Sequence, residues 1–198
     1  MDLKNNYDKL MQDQIAKFDG KKKILLHSCC GPCSSAVIER LKPNFEITVF
    51  YYNPNIYPQD EFEKRLQNQK IVIKNNLGVN LVSPNYDEME YLEKVKGLEG
   101  EREGGKRCDV CFYLRLKQTA IFAKENGYDF FGTTLTVSSH KNAEHINKIG
   151  EEISKEIGIP FLYSDFKKHD GYKRSIILSR EMNLYRQNYC GCRFSIGR

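Results

Sequence analysis

Apolar residues in this chain switch between two spacings, and the order of the switches predicts a fold. Leu3, Tyr7, Leu10, Met11, Ile15 and Phe18 recur at helical spacing through a polar N-terminal stretch. Ile24, Leu25 and Leu26 form a short unbroken apolar run, as a buried strand does. A Gly-Pro turn follows, and Ala36, Val37, Ile38 and Leu41 then set a helix expected over residues 34–41. β-branched and aromatic residues mark a second strand at 45–52, which exits into the turn-rich segment 53–58. A long charged helix is expected over 59–77, closed by Gly78, with a short strand at 79–82 and a helix at 86–96 beyond it. Residues 97–107 read as a flexible, charged loop. The spacing then predicts a helix over 109–126, a strand at 128–134 and a polar exit loop at 135–142. A helix over 143–157, a fifth strand at 160–163 and a helix at 172–182 complete the series.

Strands alternating with helices make βαβ units. The expected class is therefore α/β, a three-layer sandwich around a five-stranded parallel Rossmann-like sheet with a helical, cysteine-bearing C-terminal tail. A chain of 198 residues suits one such domain over residues 21–198, with residues 1–20 as an N-terminal helical extension. No apolar run approaches the roughly 20 residues of a membrane span. The polar N-terminal stretch lacks the pattern of a signal peptide, so a cytoplasmic location away from membranes is expected. The net charge of +5 is unevenly placed, because residues 165–198 carry eight Lys or Arg against three acids and account for the whole excess. Such a tail suits a polyanion such as RNA, and equally a plain solvated helix.

The candidate chemistry lies in Leu26-His27-Ser28-Cys29-Cys30-Gly31-Pro32-Cys33-Ser34, which puts three thiols at a strand-to-helix junction. In an open α/β sheet that junction is the carboxyl edge, where ligands bind and helix amides favour anions such as thiolate. The other four cysteines form two close pairs, Cys108/Cys111 and Cys190/Cys192. Seven thiols without a secretion pattern point to metal ligation or catalysis rather than to a disulfide scaffold. Cys30-Gly31-Pro32-Cys33 has the spacing of a thioredoxin dithiol, but five further cysteines and the chain length weigh against simple disulfide exchange. The junction also sits where an ATP-pyrophosphatase carries its Ser-Gly-Gly-x-Asp-Ser loop. Here Cys29 and Cys30 replace the glycines and Cys33 the acid, which removes the ATP chemistry while the fold is kept.

Cys108 and Cys111 sit one helical turn apart, a half-site for zinc or an iron–sulfur cluster, and with Cys29 and Cys30 they complete a four-thiolate set. A closed zinc site in a non-catalytic RNA-binding module is the competing reading. Cys190-Gly191-Cys192 is too tight for an unstrained disulfide, which suits a redox pair or one further metal ligand. His27 reads as a core residue and His145 and His169 as surface residues. His140 belongs to a polar strand-exit loop placed for substrate contact.

Together these residues resemble the cobalamin-independent epoxyqueuosine reductase family. The resemblance runs from Ile24 to the C-terminus. It rests on the cysteine stretch above, on Tyr52-Asn53-Pro54-Asn55-Ile56, on Glu103-Gly104-Gly105-Lys106-Arg107-Cys108 with Cys111, and on Thr133-Thr134-Leu135-Thr136-Val137-Ser138. Lys141-Asn142, Ser164-Asp165-Phe166-Lys167-Lys168 and Gly171-Tyr172-Lys173-Arg174-Ser175 extend it, as do Leu184-Tyr185-Arg186-Gln187 and Tyr189-Cys190-Gly191-Cys192. Gly31 stands where many members carry alanine, a difference expected to be neutral.

The resemblance implies an oxidoreductase of tRNA processing that completes queuosine biosynthesis by reducing the epoxide of epoxyqueuosine, in the anticodon loop, to an alkene. It implies a 4Fe-4S cluster on Cys29, Cys30, Cys108 and Cys111, an additional mononuclear iron helped by Cys33 or Asp109, and a redox-active pair of Cys190 and Cys192. It sets Asn53, Thr134, Ser138, His140, Lys141, Lys167, Lys168, Tyr172, Lys173 and Arg174 against the modified nucleotide or the anticodon-loop phosphates. An electron donor, not identified by the sequence, is also required.

Overall fold

β1 (Lys22–His27) lies inside a parallel sheet, with β2 (Phe45–Phe50) and then β3 (Asn80–Val82) on one side and β4 (Phe130–Thr133) on the other. The computed structural model describes residues 6–196; Leu3 of the N-terminal spacing and Arg198 of the basic tail lie outside them. A strand paired on both sides and covered on both faces needs apolar residues throughout, and Ile24, Leu25 and Leu26 are all 0% exposed. The two-residue period divides them between two cores. Ile24 and Leu26 pack toward α2 (Gly31–Leu41), α3 (Gln59–Lys74) and α7 (Gly171–Glu181). Leu25 packs toward α4 (Glu88–Lys94), α5 (Lys106–Glu125) and α6 (Ala143–Ile157). These are the three layers.

The strand order β3-β2-β1-β4 reverses direction beside β1. The chain moves outward from β1 through α2 and α3, then crosses back over α4 and α5 to place β4 on the far side. The crevice between the carboxyl ends of β1 and β4 is thus the switch point at which open α/β sheets bind ligands.

The sheet has four strands rather than five. Residues 160–163 make a single parallel bridge, Phe131 to Phe161. The Phe131 N–H donates to the Pro160 carbonyl at 3.0 Å, and the Leu162 N–H donates to the Phe131 carbonyl at 2.9 Å. Pro160 has no N–H with which to lengthen the ladder. Beyond Leu162 side-chain amides capture the backbone instead. The Ser164 N–H donates to Asn147 Oδ1 at 2.9 Å, and Asn147 Nδ2 donates to the Ser164 carbonyl at 2.7 Å.

On the outer side of this segment, Gln14 of α1 (Tyr7–Ile15) donates from Nε2 to the Phe161 carbonyl at 2.9 Å and accepts the Tyr163 N–H on Oε1 at 3.0 Å. One amide group thereby occupies the hydrogen-bonding positions a further strand would take and blunts the edge. α1 is anchored to the domain by more than this. Met11 is buried, and the buried Asp8 carboxylate accepts from Arg40 at 2.5 Å and lies 2.9 Å from His169 Nε2.

α6 keeps its expected limits because both ends carry stop signals: Asn142 accepts the His145 N–H at 3.2 Å, and Gly158 turns left-handed at φ 75°. No helix among the described residues is long and apolar enough to cross a membrane.

Candidate metal centre

His27 ties together the strand ends that carry the site. Its Nδ1 lies 3.1 Å from Thr133 Oγ1 at the end of β4, and its Nε2 lies 3.2 Å from the carbonyl of Tyr52 just beyond β2. Because the Tyr52 carbonyl can only accept, the imidazole donates from Nε2, and Nδ1 accepts from the Thr133 hydroxyl, whose oxygen also accepts the Leu135 N–H at 3.1 Å. Burial, seconded by the Arg115 charge, pushes the His27 pKa down to about 3, so the ring is a neutral strut. Asn53 extends the brace, donating from Nδ2 to the Ser28 carbonyl at 2.8 Å.

α2 starts directly after this junction, with Cys30 as its cap and Pro32 in its first turn. The sulfurs of Cys29, Cys30 and Cys33 all lie within 4.8 Å of one another, and those of Cys29 and Cys30 are 3.8 Å apart. The turn is pressed against α3: a Cβ at Gly31 would stand 2.6 Å from the Asn68 carbonyl oxygen, so alanine is not neutral here without movement of backbone. Gln69 Oε1 accepts the hydroxyls of Ser28 and Ser34 at 2.9 and 3.0 Å and fixes both sides of the turn. Among the three thiols the negative charge settles on Cys29. Hydrogen bonds from Cys30 and Cys33 hold its pKa well below the usual thiol range, helped by Arg115 and Lys141, and the same hydrogen bonds, with burial, push Cys30 up to about 12 and Cys33 well above the usual range.

The second cysteine pair comes from the start of α5, which begins at Lys106, before the expected position. Arg107, 1% exposed, donates to the carbonyls of Leu98, Glu99 and Glu101 and so folds the glycine-rich loop onto the first turn. Cys108 Sγ accepts the Gly104 N–H at 3.2 Å. Cys111 is buried in the same apolar cluster as Cys29, Cys30 and Cys192, and burial raises its pKa to about 12. In the tail, Cys192 Sγ lies 3.1 Å from Tyr91 Oη, and Cys190 Sγ lies 3.6 Å from Lys141 Nζ. All seven thiols are free; among the described residues Cys29, Cys30 and Cys33 form the compact sulfur group, and Cys111 and Cys192 share its apolar cluster.

A cavity of about 470 Å³ opens here, lined by Cys29, Cys33 and Cys190 together with Arg115 and Lys141. Arg115 is 2% exposed; its Nε donates to the Cys111 carbonyl at 3.2 Å, its Nη1 reaches Asn53 Oδ1 only at 3.5 Å, and its Nη2 has no partner. Burial disfavours both cations, but the surrounding sulfurs outweigh it and hold the pKa of each above its ordinary value. A positively charged pocket walled by thiols is suited to an anionic, sulfur-bound centre.

The expected substrate residues fall into three groups. Ser138, His140, Lys141 and Tyr172 line the cavity. Asn53 and Thr134 are buried behind it. Lys167 is paired with Asp165 at 3.0 Å, Arg174 grips Glu39 through two hydrogen bonds of 2.9 and 2.7 Å, and Lys173 lies 3.2 Å from Asp170 while remaining exposed, as is Lys168. Asp109 is half-buried, with Oδ1 3.3 Å from His145 Nε2, and does not line the cavity. Sequence reasoning gave no role to Arg65, Arg115, Arg107 or Gln187, although the last two stand in the stretches that carry the resemblance; Gln187 Nε2 donates to Cys30 Sγ at 3.1 Å. One signal was available for Arg115, which stands four residues after Cys111 and so on the same helix face.

A family model described as epoxyqueuosine reductase QueH matches residues 24–198. The chain belongs to this family. A QueH protein of Streptococcus pyogenes serotype M1 is 44% identical over 198 residues, covering 96% of this chain and 77% of the relative. One from Staphylococcus epidermidis is 42% identical over 202 residues, covering 97% and 85%. The QueH protein of Thermotoga maritima is 36% identical over 176 residues, covering 87% and 90%. A crystal structure of a predicted subunit of tRNA methyltransferase from Methanocaldococcus jannaschii superposes with a TM-score of 0.51 at 15% identity, over 80% of this chain and 76% of that one, and so shares the fold alone.

Proposed function

We propose that this chain reduces epoxyqueuosine in the anticodon loop of tRNA to queuosine, in the cytoplasm. The reaction takes up two electrons and two protons, breaks both C–O bonds of the epoxide and yields an alkene and water. The observation that carries the reading is the convergence of three sulfurs within 4.8 Å at the carboxyl edge of β1, with Cys29 and Cys33 lining a cavity that holds two cations. Family membership supplies the substrate.

The donors fit an iron–sulfur centre. Thiols select iron or zinc over magnesium or calcium, and the unpartnered Arg115 Nη2 beside Lys141 offers positive charge that an anionic centre offsets. Cys29, Cys30, Cys108 and Cys111 would hold a 4Fe-4S cluster, with Cys33, which lines the cavity, rather than Asp109 beside an additional mononuclear iron. When bound, such a centre supplies single electrons and a Lewis acid. Cys190 and Cys192 serve as the redox-active pair, with Lys141 Nζ 3.6 Å from the Cys190 sulfur. Tyr172 and Tyr189 line the cavity and offer aromatic walls to a base turned out of the loop, while the exposed Lys168 and Lys173 meet phosphates. An external electron donor completes the cycle. The sheet is of the ATP-pyrophosphatase-like Rossmann type, its nucleotide loop replaced by cysteines.

Iron and sulfide analysis of anaerobically purified protein tests the centre. Both elements are expected, with broad absorbance at about 400 nm that is lost in Cys29→Ala. A colourless protein containing zinc would overturn the reading in favour of a closed structural site.

A further inference from the structure

Arg65 lies in the middle of α3, 1% exposed, yet its guanidinium is spent almost wholly on the C-terminal tail. Nε donates to Glu61 Oε1, one turn back, at 2.6 Å. Nη1 donates to the Cys190 carbonyl at 3.0 Å and Nη2 to the Tyr189 carbonyl at 3.4 Å, while the Tyr189 ring centroid lies 5.2 Å from the guanidinium carbon. The next residue makes room for this grip. Gly191 has φ +104°, and a Cβ there would stand 2.8 Å from Arg65 Nη1. Two independent requirements, backbone conformation and space, therefore call for glycine between the two cysteines.

The tail is held on its other side as well. Tyr57 donates its N–H to the Gly191 carbonyl at 2.8 Å, Tyr189 Oη donates to the Tyr57 carbonyl at 3.0 Å, and Cys192 forms an antiparallel bridge with Ile56. Tyr185 Oη lies 3.2 Å from Glu61 Oε2, which ties the carboxylate that orients Arg65 to the same strap. The backbone of Cys190 is thus held from both sides, and its side chain faces the cavity.

We infer that Arg65 is a positioning residue that sets where the Cys190 sulfur stands in the cavity, with Gly191 as the space its guanidinium occupies. A lysine at 65 keeps the charge for Glu61 but lacks the planar fork needed to hold two carbonyls as well. The inference about placement stands apart from the proposed reaction; only its kinetic consequence rests on that reading.

The test uses the anaerobically isolated protein and follows alkylation of each cysteine by mass spectrometry, with added glutathione as the reference thiol. In Arg65→Lys and in Gly191→Ala the ratio of Cys190 to glutathione rates is expected to rise about tenfold as the strap opens, while the buried Cys111 stays slow. With tRNA carrying epoxyqueuosine, Arg65→Lys is expected to lower kcat and leave KM unchanged. A rate ratio within about twofold of the parent in both variants overturns the inference. Should Arg65→Lys expose Cys111 by unfolding, Gly191→Ala, which retains the Arg65–Glu61 pair, decides alone. A parent inactive on tRNA whose variants still show the rise in ratio removes the reductase reading and supports the placement.

Discussion

Two regions of this domain bury polar side chains, and they differ in how fully those groups are met. At the outer edge, the Gln14 amide makes two hydrogen bonds to the 161–163 segment, Asn147 holds both the N–H and the carbonyl of Ser164, and Asp8 is shared by Arg40, Gln12 and His169. Of the groups there, Arg40 Nη1 alone goes unmet. At the carboxyl edge Arg115 Nη2, Gln187 Oε1, Thr134 Oγ1 and Gln69 Nε2 are all buried without a partner. Each unmet buried group costs about 1–3 kcal/mol. The first region is complete within the chain and serves stability. The second leaves polar groups unmet beside three clustered sulfurs that could hold a metal.

Cys29→Ala should separate the regions most strongly. Turnover is expected to fall by about 100-fold or more with loss of iron, with little change in the unfolding of the metal-free chain. Comparable iron content in the variant would break the comparison. Arg115→Met follows. Replacing a buried cation whose Nη2 is left unmet is expected to leave the metal-free protein as stable as the parent or stabilise it by about 1–4 kcal/mol, while weakening iron binding by about 10–100-fold. A metal-free variant destabilised by several kcal/mol in urea would show that the chain already satisfies Arg115.

Gln14→Ala tests the opposite region. It should cost about 2 kcal/mol in urea unfolding, because two backbone groups lose their partner, and leave iron content unchanged. A fall in iron would mean that the two regions are not separable. The smallest effect is expected from Lys168→Glu or Lys173→Glu. Each should lower the salt dependence of tRNA binding by about one unit of slope without altering iron content or stability. An unchanged slope would remove these residues from the RNA-facing surface.

Most of the layered architecture was legible in the sequence because buried parallel strands and amphipathic helices leave distinct spacings. α6 was legible to the residue, since Asn142 and Gly158 are themselves the stop signals. The segment 160–163 looked like a strand and had the right apolar content. What limits it to one bridge is Pro160 and the competition of Asn147 and Gln14, distant residues whose amides no local pattern announces. The three thiols at the β1–α2 junction were visible, as was their place at a ligand-binding edge. The buried arginines were not, because a charge in the sequence carries no mark of burial: Arg65 and Arg115 fall within expected helices and Arg107 within the expected charged loop, and nothing in the spacing shows that the tail, the cavity and the glycine-rich loop fold around them. The basic tail shows the converse, since Arg174 and Arg193 are each held by a carboxylate, Glu39 and Glu88, rather than left free.

The central claim is that sulfur ligands gathered at the carboxyl edge of β1 hold the centre at which the epoxide is reduced. The most direct measurement is nucleoside analysis of tRNA bearing epoxyqueuosine after incubation with iron-loaded protein and a chemical reductant, beside Cys29→Ala. The account predicts queuosine from the parent and unreacted epoxide from the variant. An iron-loaded, reduced parent that leaves the epoxide intact, or a variant that converts it at the parent's rate, would contradict it.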